Sequence, residues 1–138
     1  MFAAALTAAW CWAPMPCAGE PPTPPASAVK ELMTRNLAGM SGKELRMLTV
    51  EYLPGGASLP HRHNAQVFVY VLEGAVTMQV EGGAPVTLGV GETFYEGPED
   101  IHTVSANASR TKPARILVFM VRDVGTPLSI AVPAKSRP

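Results

Sequence analysis

Residues 56–74 read GASLPHRHNAQVFVYVLEG, and this stretch decides the fold. It leaves a turn at Pro54-Gly55-Gly56, passes through His61 and His63, and runs into the apolar and aromatic segment Val67 to Leu72, which stops at Glu73-Gly74. A short apolar run rich in Val, Phe and Tyr and bounded by turn residues predicts a strand. Two histidines at i and i+2 on an extended chain send both side chains to one face.

Working outward, the same alternation of strand and turn continues. Glu44 to Leu53 mixes apolar residues with Lys, Arg, Glu and Thr at near-alternating positions and predicts a half-buried strand. Ala75 to Val80 follows the tight turn at Gly74, with Val76, Met78 and Val80 on one face. Glu81 to Pro85 is the next turn, Val86 to Leu88 a short strand, Gly89 to Gly91 a turn, and Thr93 to Glu96 a strand. Ala114 to Val121 is the last strong strand and Leu128 to Val132 a weaker one, while Val29 to Leu37 is the only helix-compatible segment. Strands at such regular spacing predict an all-β domain.

Length and composition bound the rest. A chain of 138 residues builds one core and not two domains of usual size. Eleven Lys and Arg balance eleven Asp and Glu, and no basic stripe follows a phosphate backbone, so nucleic acid is not expected as a partner. Residues 2–19 carry no charge, and the apolar run from Phe2 to Trp12 ends at Pro14 and Pro16, before the small residues Cys17-Ala18-Gly19. This resembles a signal peptide over residues 1–19 and predicts export to the periplasm or beyond, although no Lys or Arg precedes the run. The run is shorter than the roughly 20 apolar residues a membrane-spanning helix needs, so no integral span is expected. A lipid anchor on Cys11 or Cys17 is a weaker alternative. Cleavage would leave no thiol and no disulfide. Residues 20–28, rich in Pro, read as a stiff linker, and residues 29–138 as the domain.

The chain has three histidines, and the third, His102, follows the turn at Gly97-Pro98 and precedes Thr103-Val104-Ser105, which suits a short strand. If the barrel closes, His61, His63 and His102 can converge on one divalent transition metal (Fe, Mn, Ni, Zn or Cu), all of which accept imidazole. The plainer alternative is a surface pair plus an unrelated loop histidine.

The stretch 56–74 resembles the first cupin motif: a Gly, then His-x-His, then a hydrophobic strand ending in Gly. Residues 91–107, GETFYEGPEDIHTVSAN, resemble the second, and the resemblance runs from about Leu45 to Val121. It implies a single cupin (RmlC-like jelly-roll) β-barrel, a metal on the three histidines, and a small-molecule ligand or substrate. The family's first motif also carries a metal-binding Glu after the second His, where this chain has Gln66 and Val67, and Val67 cannot ligate. The usual Pro-x-Gly of the second motif is replaced at Gly97 and Glu99, although Pro98 keeps the turn stiff. Glu96 is the preferred fourth ligand because a carboxylate offsets metal charge better than the Gln66 amide. The alternatives are an exposed strand-end glutamate and a hydrogen-bonding turn residue. Phe94, Tyr70 and Tyr95 are candidate pocket residues.

The resemblance most often implies a small oxygenase, isomerase or lyase acting on a small organic molecule. A non-catalytic binder of metal or small ligand is the alternative, and a metal that only staples the barrel a third. Small cupins commonly pair through strands, so a homodimer is expected, with residues 29–37 as an added edge strand.

Overall fold

Burial alternates residue by residue along the long segments of this chain, and that alternation builds two sheets with one core between them. The structure, a computed structural model, describes residues 27–132. The expected signal peptide over 1–19, residues 20–26 of the expected linker and residues 133–138 of the expected domain lie outside the described residues.

The strands are β1 (Ser27–Asn36), β2 (Lys43–Tyr52), β3 (Ala57–Ser58), β4 (His61–Arg62), β5 (Ala65–Glu73) and β6 (Ala75–Val80). They continue as β7 (Val86–Gly89), β8 (Thr93–Glu96), β9 (Ile101–Asn107), β10 (Ala114–Asp123) and β11 (Ile130–Ala131). One sheet has the order β1-β2-β10-β5-β8 and the other β11-β4-β9-β6-β7, with β3 also paired to β9. Every pairing is antiparallel, and the architecture is the all-β jelly roll expected. Among the described residues no helix is long and apolar enough to cross a membrane.

The core is built by period-two faces. In β5, Ala65, Val67, Val69 and Val71 are buried while Gln66, Phe68, Tyr70 and Leu72 face out. In β10, Ala114, Ile116, Val118 and Met120 point inward, and β2 adds Leu48, Val50 and Tyr52. Each fully buried aliphatic side chain contributes about 1.5 to 3 kcal/mol relative to exposure. Val76 and Met78 of β6 close the core from the other sheet.

Two features depart from the sequence reading. Residues 29–37 are not helical: they lie almost wholly in β1, the edge strand, which pairs with β2 from Ser27↔Tyr52 to Asn36↔Glu44. A segment this short cannot hold a helix by itself, and the free edge of β2 offers it a complete ladder. Ser27 and Ala28, read as the end of the linker, belong to the same strand because they pair with Tyr52 and Glu51. At the turn between β5 and β6 a glycine is required: Gly74 has φ of 70°, and a Cβ there would sit 2.5 Å from the Pro113 carbonyl oxygen.

At the end of the β1-β2-β10 ladder the inward positions turn from apolar to charged. Arg122 is 2% exposed, and its Nε lies 3.2 Å from Glu44 Oε1, close enough for an ion pair but not angled as a hydrogen bond. Its two terminal nitrogens have no hydrogen-bond partner among the described residues. Arg46 donates to Glu44 at 3.1 Å and reaches Glu31 at 3.2 Å. Burial, reinforced by Arg46, lowers the Arg122 pKa, while Glu44 and Glu31 raise it.

Candidate functional site

The site forms where the short strands of one sheet meet the end of β8. His61 in β4 pairs directly with His102 in β9, which brings their ring centroids to 5.3 Å. His63, just after β4, sets its ring edge-on to His61 at 4.8 Å. Alternation along β8 turns Glu96 inward and Tyr95 outward, and Glu96 stands opposite Val67 of β5. A carboxylate on the neighbouring strand thus stands beside residue 67, near where the cupin motif would place one. Phe94 stacks on His102 at 5.9 Å and packs against the core.

An extra residue in β9 also shapes the site. Gln79 pairs with Val104 and Val80 with His102, leaving Thr103 unmatched. Through this bulge His102 and Ser105, three positions apart, are both buried.

The hydrogen bonds decide where lone pairs remain. His61 Nδ1 lies 2.7 Å from the Leu59 carbonyl and His63 Nδ1 2.5 Å from the Leu128 carbonyl. A carbonyl only accepts, so each Nδ1 carries the proton and each Nε2 keeps a lone pair. His102 Nδ1 is 3.1 Å from Glu96 Oε1, and His102 Nε2 and Glu96 Oε2 are buried without a hydrogen-bond partner. Glu96 Oε2 stands 4.0 Å from His63 Nε2. Two buried acceptors, His102 Nε2 and Glu96 Oε2, therefore have no donor to meet them, and the neighbouring His61 and His63 rings add Nε2 lone pairs. Burial holds the His61 imidazole below its usual pKa, against the upward pull of the Leu59 carbonyl, while His63 and His102 lower it further and Glu96 raises it.

Such an acceptor-only cluster suits a cation, and its donor types suit a divalent transition metal. Among the described residues no three His, Cys, Asp or Glu side chains already stand as a finished metal cluster.

The remaining candidates separate cleanly. Gln66 lies on the outer face of β5, where its Oε1 accepts from the Tyr95 hydroxyl at 3.5 Å, so it is not placed to ligate. Tyr70 and Tyr95, 42% and 51% exposed, also face outward and do not line the interior. The buried residues of β5 are instead its small and β-branched ones. Sequence reasoning missed Tyr52 and Ser105, which line the interior cavity of about 530 Å³ together with His61, His63, Glu96 and His102. Alternation in β2 would have placed Tyr52 on the face of Leu48 and Val50; nothing in the sequence marked the β9 bulge that turns Ser105 inward.

Fold and site together define a small jelly-roll protein with a histidine-lined interior cavity. The chain belongs to the cupin family: the Cupin domain matches residues 48–120, more than half of its length. A comparison with curated proteins finds no match. Among solved structures it is similar to the DMSP lyase DddQ from Ruegeria pomeroyi DSS-3, with a TM-score of 0.64 and 21% identity over 80% of this chain and 54% of that one. It is similar to an oxalate oxidase in complex with the substrate analogue glycolate, with a TM-score of 0.55 and 25% identity over 71% of this chain and 55% of that one. A third is an uncharacterized conserved protein with a double-stranded beta-helix domain from Klebsiella pneumoniae, at TM-score 0.58 and 18% identity over 75% of this chain and 83% of that one. The chain matches only about half the length of the lyase and oxidase chains.

Proposed function

We propose that this cupin is an exported metalloprotein that holds one divalent transition metal on His61, His63 and His102, with Glu96 as the fourth protein group, and acts on a small organic molecule in the adjoining cavity. The observation that carries this reading is the pair of buried acceptors without a donor, His102 Nε2 and Glu96 Oε2, beside two further histidines whose Nδ1 atoms are held by carbonyls.

The bound metal would supply Lewis acidity or a redox centre beside the cavity. The protein's own groups do the rest. The Leu59 and Leu128 carbonyls hold His61 and His63 in the tautomer that leaves Nε2 free, and Phe94 braces His102. Glu96 contributes the carboxylate that lines the cavity among the described residues. The apolar walls exclude water from a bound ligand. The likeness to an oxidase at 25% identity supports a catalytic role over a purely structural metal.

Protein prepared without a His-tag and reconstituted with Fe(II), Mn(II), Ni(II) or Zn(II) should carry about one equivalent of metal per chain, since three imidazoles at one centre outcompete scattered surface sites. Metal analysis returning less than about a tenth of an equivalent with all four ions would sink the reading. Export is checked separately by intact mass of the chain from a secreting bacterial host. The apolar run before residue 20 supports a mature start near Gly19 or Glu20, and a soluble product that keeps Met1 would count against it.

A further inference from the structure

Away from the histidines the cavity is walled by Leu48, Val50, Val69, Ile116 and Val118, and no Lys or Arg lines it among the described residues. Its polar features on that side are hydroxyls. Tyr52, 2% exposed, places its oxygen 2.6 Å from Ser105 Oγ, and Ser105 Oγ lies 3.6 Å from Met78 Sδ, to which it donates. Nearer the sheet edges, Ser27 Oγ and Ser58 Oγ stand 3.1 Å apart, and both residues line the same cavity.

The direction of these bonds follows from acidity. A thioether only accepts, and with the Ser105 proton given to Met78, Ser105 accepts from the phenol, the more acidic hydroxyl of the pair. The Tyr52 oxygen is left as an acceptor, which the Ser58 hydroxyl approaches and which a donor inside the cavity can also meet. Its backbone is held as well: Asn107 Nδ2 donates to the carbonyls of Leu53 at 3.0 Å and Lys112 at 2.8 Å, with Tyr52 at 3.4 Å. Asn107 and Ser105 share β9, so the Tyr52–Ser105 pair is anchored at both its backbone and its hydroxyl. Burial raises the Tyr52 pKa, which the Ser105 and Ser58 hydroxyls partly offset and Glu96 reinforces, so the phenol stays neutral at physiological pH.

We infer that the ligand of this cavity is an uncharged, largely apolar molecule carrying a hydroxyl, whose proton is accepted by Tyr52 while its body lies against the aliphatic wall. A volume near 530 Å³ takes a ring with a short substituent, and a carboxylate or phosphate would meet no cationic side chain there. This rests on the reading of the cavity as the ligand site and concerns its aliphatic and hydroxyl-bearing part away from the histidines, so it is testable on metal-stripped protein.

Calorimetry on metal-stripped full-length protein tests it with three probes of one shape: 4-ethylphenol, 4-ethylbenzoate and 4-ethylanisole. The phenol should bind at least about tenfold more tightly than the benzoate, which must shed its hydration without a partner. Tyr52→Phe should weaken the phenol about fivefold, the size of one neutral hydrogen bond, and leave the anisole within about twofold. Benzoate binding equal to or tighter than phenol binding, no measurable phenol binding by the wild-type protein, or equal losses for phenol and anisole in Tyr52→Phe would each overturn the inference. The first two comparisons use wild-type protein and do not depend on the variant folding. Metal content measured on the same preparation before stripping separates this failure from failure of the metal reading.

Discussion

Glu44→Ala should lower the folding free energy by about 3 to 5 kcal/mol, the cost of removing one partner from a buried ion pair. The reason lies in what remains. Arg122 would stay inside the molecule with only the pull of Glu31, the weaker of its two carboxylate partners, its terminal nitrogens without hydrogen bonds and Arg46 pressing on it. The double change Glu44→Leu with Arg122→Met fills similar volume without charge and should recover most of that loss, since apolar replacement of a buried pair is often neutral or better. Urea unfolding monitored by circular dichroism reads both, at constant m-value. A loss below about 1 kcal/mol for Glu44→Ala would show that Arg122 finds water or another partner, and the pair would then be no determinant of stability.

At the proposed metal site, Glu96→Gln should reduce metal affinity about tenfold to a hundredfold while Gln66→Ala changes it less than about twofold. Glu96 is buried against His102 and faces His63, whereas Gln66 lies across the sheet on the outer face. Competition titration with a chromophoric chelator measures both. If the ranking reversed, the outward placement of Gln66 would be wrong; if neither mattered, the histidines alone would hold the ion. The same titration should show affinity falling with acidity, because protons compete for each imidazole. His61 resists that competition to lower pH than a free imidazole does, its pKa being lowered from 6.5 by burial. The sign for stability follows. The unfolded chain protonates His61 first, so the metal-free protein loses stability as pH falls from 6.5 toward the lowered value and gains nothing above 6.5.

The strands were legible wherever turn residues punctuate the chain. Thr93 to Glu96 and Ala75 to Val80 coincide with β8 and β6. The convergence of the histidines was legible too, because period two joins His61 to His63 and the β4–β9 register sets His61 beside His102. Which face of β5 turned inward was not. Phe68, Tyr70 and Leu72 on its outer side are as apolar as the valines inside, so the hydrophobic pattern carries no phase. That ambiguity put Tyr70 and Tyr95 in the pocket and kept Gln66 as a candidate ligand. Residues 29–37 were read both as helix-compatible and as an added edge strand, because their order comes from a partner strand rather than from their own residues; within the chain they lie almost wholly in the edge strand β1. The buried Ser105 rests on one inserted residue, Thr103, whose effect appears only once β6 is paired to β9.

The strands that carry the site differ in how firmly they are tied. β4 and β11 are each two residues long, and the second residue of the His-x-His pair lies beyond the end of its strand, held through the Leu128 carbonyl. Glu96 and His102, by contrast, sit on strands of four and seven residues. An ion bridging the two groups would stitch a loosely laddered lip to a well-laddered wall. Part of its binding free energy would then be spent on ordering residues 57–63 and 128–131, and the protein's response to the ion would be concentrated in amide-exchange protection at that lip rather than in the deep core.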